Sequence, residues 1–218
     1  MSVIPDICPE DRTVINTKFH KYLEQLFGSK ISISILRALV NYKGKIFTVR
    51  GLAETANVSR SEAAVLVDQL EKYGIIRLQP VGRSYQVSLN EENYILNKII
   101  KPILRAEEKT LDELVSVLKK HFSSKRNISV AIFGSVSRGE EKEDSDIDLL
   151  VISDNFDYAN TLVSKAQEEV SLIFHSNLSP IILSEKEFIA KKNTKLVRSI
   201  LDSYIMVAGK DLRKVIER

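Results

Sequence analysis

The chain has 218 residues, with 32 Lys and Arg against 29 Asp and Glu, a net charge of +3. A hydrophobic fraction of 44% and a charged fraction of 28% are those of an ordinary globular protein, which excludes wholesale disorder, a collagen-like repeat and a coiled-coil rod. One cysteine, Cys8, excludes a disulfide scaffold. The length fits one or two domains. No apolar run reaches the roughly 18–20 residues that span a bilayer. The opening MSVIPDICPEDR has neither the basic nor the apolar region of a signal peptide. The expected location is cytoplasmic, with no membrane partner.

Residues 12–27 read as a short amphipathic helix, with Ile15, Phe19, Tyr22, Leu23, Leu26 and Phe27 at helical spacing and Gly28 ending it. Ser29 caps the next helix, whose inner face carries Ile35, Leu36 and Leu39 and which stops at Gly44. VRGLAETANV gives a third helix, closed at Asn57. SRSEAAVLVDQLEKYG gives a fourth. There Ser59 and Glu62 form a capping box, Ala63, Leu66, Val67 and Leu70 form the inner stripe, and Gly74 ends the helix. Two strands, IIRLQ and SYQVSL, flank a turn of Pro80, Val81, Gly82 and Arg83. This order is that of a winged helix-turn-helix. Asn90 is expected to cap a helical region reaching about residue 122, with Leu96, Ile100, Ile103, Leu111, Leu114 and Leu118 apolar. Pro102 is expected to kink or split it. Its second part is either a linker packed on the next domain or a dimerisation helix.

Charge is uneven along the chain. Residues 26–90 hold nine basic and four acidic side chains, or +5, whereas residues 126–218 hold 13 and 15, or −2. A basic module joined to a mildly acidic one points to nucleic acid on one side and other work on the other. In a winged helix-turn-helix, the first turn of the second helix of the pair enters the major groove. That places Ser59, Arg60 and Ser61 on bases of double-stranded DNA, Arg50 on a phosphate, and the hairpin-tip Arg83 on a phosphate or in the minor groove. Lys45 and Arg77 are further phosphate candidates. Val65, Glu62 and Asp68 weigh against this face, and such a fold also serves as a protein-interaction module.

From residue 126 strands and helices alternate: ISVAIFG, DIDLLVIS and SPIILS as strands, 157–170 and EKEFIAKKNTKLVRSILDS as helices, and YIMVAGK as a last short strand. This pattern predicts a mixed-sheet α/β domain. The chemistry lies in AIFGSVSRGEEKEDSDIDLLVI. Asp146 and Asp148 share one face of a strand, with Ile147 and Leu149 turned into the core. Two adjacent carboxylates call for a cation, and hard oxygens suit Mg²⁺. Gly134 lets a phosphate approach the backbone, and Ser135 offers a hydroxyl and an N–H where a strand meets a helix. Together these parts suit nucleotidyl transfer.

The pattern G-S-x(10)-D-x-D, with Arg138-Gly139 inside it, resembles the signature of the DNA polymerase beta nucleotidyltransferase superfamily, and its minimal branch in size. The resemblance implies that Gly134 and Ser135 hold a nucleoside triphosphate such as ATP, and that Asp146 and Asp148 are catalytic and bind Mg²⁺ or Mn²⁺. Arg138 either contacts a phosphate or bridges to Glu140 or Asp144. Members of the superfamily commonly carry a third carboxylate on a later strand, but residues 176–184 contain no acid. Glu168, Glu169, Glu185 and Glu187 lie outside that strand. A second metal and a general base are therefore in question. The N-terminal half resembles prokaryotic, especially archaeal, winged-helix regulators, some of which carry such a domain.

The expected fold is α+β in two domains: an N-terminal arm at 1–28, a winged helix-turn-helix at 29–90, a helical linker at 91–125 and a minimal nucleotidyltransferase domain at 126–218. Three functions fit. The chain is a DNA-binding regulator that transfers a nucleoside monophosphate to a hydroxyl acceptor, protein or nucleic acid. Or it is a regulator whose degenerate transferase domain senses nucleotide, or an antitoxin-type protein adenylyltransferase. A homodimer is expected from the symmetry of most DNA-binding modules.

Overall fold

The structure, a computed structural model, describes residues 22–42, 44–82, 84–122 and 128–217. It divides between Glu108 and Lys109 into two units, each with its own sheet, in a mixed α+β architecture. The expected helix positions Ile15 and Phe19, and Arg83, lie outside the described residues. No helix among the described residues is long and apolar enough to cross a membrane.

The first unit runs α1 (Leu23–Phe27), α2 (Lys30–Asn41), β1 (Phe47–Thr48), α3 (Val49–Ala56), α4 (Arg60–Lys72), β2 (Ile76–Val81) and β3 (Ser84–Leu89). Helices α2, α3 and α4 start where a hydroxyl can satisfy a first-turn N–H. Ser29 accepts from Ser32, Thr48 from Gly51, and Ser59 from Glu62, whose carboxylate returns to the Ser59 N–H in a full capping box. Helix α3 ends on Asn57 in the left-handed region, at φ 53°. The expected stripes meet in one core, where Ile35, Leu36 and Leu39 of α2 pack with Leu52, Ala63, Leu66, Val67, Leu70, Ile75 and Val87. Each large aliphatic side chain so buried contributes about 1.5–3 kcal/mol.

The antiparallel sheet has the order β1-β3-β2. Strand β1 is too short to show a period in the sequence. The turn expected over Pro80–Arg83 is tighter than expected, because Pro80 and Val81 belong to β2 and pair with Tyr85 and Ser84. Strand β2 is an edge, where a missing proline N–H costs no ladder bond.

The helical region after the sheet departs from expectation in two ways. Asn90 does not cap it; its side-chain amide donates to the Gly74 carbonyl, and Asn93 accepts from the Leu96 N–H. The region does not split at Pro102 either. A π-helical turn, Leu96–Ile100, leads directly into α5 (Lys101–Glu108), and the break falls at Lys109. The wide turn just before the proline absorbs the irregularity that its missing N–H imposes.

The second unit runs α6 (Thr110–Phe122), β4 (Ser129–Phe133), α7 (Gly134–Arg138), β5 (Ile147–Ile152), α8 (Phe156–Phe174), β6 (Leu178–Leu183), α9 (Glu185–Ala190), α10 (Lys195–Asp202), β7 (Ile205–Ala208) and α11 (Leu212–Ile216). The sheet order is β6-β5-β4-β7, with β5 and β7 antiparallel to β4 and β6 parallel to β5. Alternation sorts the strand residues onto two faces. Val130, Ile132, Ile147, Leu149 and Val151 pack with α6 and α8, while Ala131, Phe133, Leu150 and Ile152 pack with α9, α10 and α11. The helix expected over EKEFIAKKNTKLVRSILDS is two helices, because Thr194 accepts from the Val197 N–H and starts α10 afresh.

Candidate functional site

Strand β4 ends at Phe133, and the chain turns at once into the five-residue α7 through Gly134, whose φ is 74°. Phe133 is in register with Asp148 on β5, so the Asp148 side chain rises beside the turn. Gly134 is required twice. Its backbone conformation is one that L-residues avoid, and a Cβ there would fall on the Asp148 carboxylate. The glycine expected to admit a phosphate thus also admits the second aspartate of the pair.

Asp146 sits just before β5 and is exposed, while Asp148, within the strand, is half-buried. A turn fixes the approach to the pair: the Lys142 N–H donates to the Ser145 hydroxyl at 2.9 Å, and the Ser145 N–H donates to the Lys142 carbonyl at 2.9 Å. Burial first, and then the Asp146 carboxylate, push the Asp148 carboxyl above its ordinary value, and Arg138 opposes them. Two like charges crowded at a strand end make an electrostatic environment that a divalent cation would relieve.

Helix α7 starts without a side-chain cap. Ser135 is half-buried and its hydroxyl makes no bond to a described residue. Arg138 lies near enough to Asp148 to act on its charge, and its Nε donates to Glu140 at 2.7 Å, the bridge expected as one of its alternatives. Sequence reasoning missed Ser137. Its hydroxyl reaches the Gly134 carbonyl at 2.9 Å and the Ser203 carbonyl at 3.0 Å, tying the turn to the segment before β7. The two serines are 66 positions apart, so no local signal announces the pair.

Two of the other acids are engaged elsewhere. Glu169 takes Lys120 at 3.1 Å and His121 at 2.7 Å, joining α8 to α6, and Glu187 closes the capping box of α9 with Ser184. Among the described residues no three His, Cys, Asp or Glu side chains gather in a way that could hold a metal ion.

In the first unit, Arg50 and Arg60 converge on Glu54, at 2.8 Å and 4.0 Å, with all three side chains more than half exposed. Ser59 is occupied by its capping box and lies 3.2 Å from the Ser61 hydroxyl. Asp68 pairs with Lys72 at 2.7 Å, Arg77 pairs with Glu92 at 3.0 Å, and Lys45 stands over the rings of Tyr42 and Phe47. Val65 is 62% exposed on the outer face of α4.

The profile of a family described as a nucleotidyltransferase domain matches residues 111–207. One protein of Methanocaldococcus jannaschii, named as a candidate protein adenylyltransferase, is 34% identical over 97 residues, which are 44% of this chain and 92% of that protein. A second from the same organism, named likewise, is 32% identical over 105 residues, 46% of this chain and 71% of its own length. Among solved structures, a toxin–antitoxin crystal structure with AMP-PNP aligns at a TM-score of 0.35 and 16% identity, over 50% of this chain and 82% of that one.

Proposed function

Because this chain belongs to the nucleotidyltransferase domain family, we propose that its second unit transfers a nucleoside monophosphate from a nucleoside triphosphate, foremost AMP from ATP, to a hydroxyl of a protein acceptor. The observation that carries this is the Asp148 carboxylate seated against Gly134 with Asp146 beside it, at the junction of a strand and a helix. The names of the relatives support a protein as the acceptor.

Asp146 and Asp148 would hold Mg²⁺ or Mn²⁺. Both are hard oxygen donors, and burial, with the neighbouring Asp146 carboxylate adding to it, holds the Asp148 carboxyl above its ordinary value. When bound, the ion offsets the negative charge of the triphosphate. The chain itself supplies orientation. The uncapped N–H groups at Gly134 and Ser135 and the Ser135 hydroxyl face the phosphates, and Arg138 exchanges Glu140 for a phosphate oxygen. The acceptor oxygen forms a bond to the α-phosphorus as pyrophosphate leaves.

The first unit, residues 29–90, is a winged helix-turn-helix in this reading. Helix α4 presents Ser59, Arg60 and Ser61 to double-stranded DNA, with Arg50 and Arg83 on phosphates. The helical stretch expected to link the domains divides between the units at Glu108, with α6 in the core of the transferase unit, and the protein works as a homodimeric regulator. A nucleotide-sensing domain without transfer is the second reading, favoured by the lack of a third acid beside the pair among the described residues.

Incubating the full chain with α-labelled ATP, Mg²⁺ or Mn²⁺ and a lysate separates the two. Transfer predicts a labelled protein, with the label lost in Asp146→Asn/Asp148→Asn. Nucleotide binding without label selects the sensor, and neither binding nor label refutes both.

A further inference from the structure

Strand β6 places Ser179 in register with Asp148 and Leu178 in register with Ile147. Residues paired this way on parallel neighbours leave the sheet on the same face. The core confirms that face: Leu150 and Ile152, two and four residues beyond Asp148, pack with Leu183, four residues beyond Ser179. Ser179 therefore stands one strand spacing from Asp148, about 4.8 Å, on the side where the carboxylate emerges. It is half-buried, and its hydroxyl makes no hydrogen bond to a described residue. The next position toward Asp146 is Asn177, whose carbonyl accepts the Ile147 N–H at 2.8 Å. The wall facing the aspartate pair is thus built of neutral side chains.

Ligand supply decides what such a wall can hold. The two carboxylates and the triphosphate oxygens serve a first divalent ion. A second ion about 3.5–4 Å from the first would need a further anionic ligand from the protein, and a neutral serine hydroxyl is a poor substitute for a carboxylate toward a hard cation. We propose that Ser179 limits this site to a single divalent ion, and that an acid at this one position would create a second metal site. The inference rests on the reading of Asp146 and Asp148 as metal ligands for a bound triphosphate.

The test counts metal rather than activity. The full chain is equilibrated with Mn²⁺ and a non-hydrolysable ATP analogue, separated from unbound nucleotide by gel filtration at fixed free Mn²⁺, and the Mn²⁺ that travels with the chain above the buffer level is counted. The expected count is one ion per complex for the wild type and for Ser179→Asn, and two for Ser179→Asp. Two ions in the wild type, or one in a folded Ser179→Asp, overturn the proposal while leaving the triphosphate-metal reading in place. No ion in the wild type, with Asp148→Asn indistinguishable from it, overturns both. The wild-type count decides the matter even if the aspartate variant does not fold.

Discussion

The two faces proposed for function handle charge in opposite ways. Along α3 and α4 the charges are answered from within: Arg50 and Arg60 share Glu54, Asp68 holds Lys72, and Glu62 belongs to the Ser59 capping box. At the start of α7 the helix is uncapped, the Ser135 hydroxyl is unpartnered among the described residues, and burial together with the Asp146 carboxylate raises the Asp148 carboxyl above its ordinary value. The first arrangement is stable as it stands and gains from a ligand only by exchanging partners. The second carries an uncompensated charge that a cation would relieve, and it is the one whose geometry points to a ligand.

The largest expected effect comes from removing that imbalance. Asp148→Asn should lower protein labelling by roughly 10²-fold or more, measured as initial rate at saturating ATP. The same substitution should raise the melting temperature of the metal-free chain. The folded state holds the Asp148 carboxyl above its ordinary value, so the folded chain binds the proton more tightly than the unfolded one. Its contribution is favourable at low pH and is lost as pH rises through the folded-state value, so at neutral pH the ionised group opposes folding. After solvent screening the gain is roughly 1–3 °C. A drop in melting temperature would show that the aspartate contributes structure beyond its charge.

Gly134→Ala tests the packing behind that charge. The left-handed backbone and the clash with Asp148 act together, for a loss on the order of 2–3 kcal/mol. Urea unfolding checks it. In the Asp148→Ala background the loss should fall toward the backbone share alone, and equal losses in the two backgrounds would refute the contact.

At α4, Ser59→Ala removes a cap and should cost about 1 kcal/mol. That cost should appear in urea unfolding whether or not DNA is bound, which separates the structural duty of Ser59 from any base contact.

What the sequence revealed depends on how local each determinant is. The Ser59–Glu62 box, the inner stripe of α4 and the Asp146/Asp148 pair depend on neighbours two to four positions away, and each is legible. Gly134 is legible as a turn, but not as the seat of Asp148, because β4 and β5 must pair before the two meet. Ser137 with Ser203, and Ser179 with Asp148, are products of topology alone. Pro102 is legible as an irregularity but not as its kind, for a related reason. A proline predicts an irregularity, but whether the chain breaks or widens into a π turn is set by what the helix packs on: Leu96, Ile100 and Leu104 hold both sides of the proline in one core.

The smallest expected effect lies on the balanced face. Glu54 accepts from Arg50 and lies within reach of Arg60, and the hydrogen bond from Arg50 is the first cause holding its carboxyl below the ordinary value. Glu54→Gln frees both guanidinium groups for phosphates. If α4 faces DNA, affinity should rise about 2–5-fold, and the salt dependence should steepen by up to about one unit of slope for each phosphate newly engaged. Acid should mimic the substitution. The Glu54 pair persists above the ordinary carboxylate range and is lost as pH falls through its lowered value, so the difference between wild type and variant should close only below that range. Arg50→Ala/Arg60→Ala should abolish the gain. If fluorescence anisotropy shows Glu54→Gln and the double alanine binding DNA alike at every salt concentration, the arginines serve Glu54 and the fold, and the DNA face lies elsewhere on the unit.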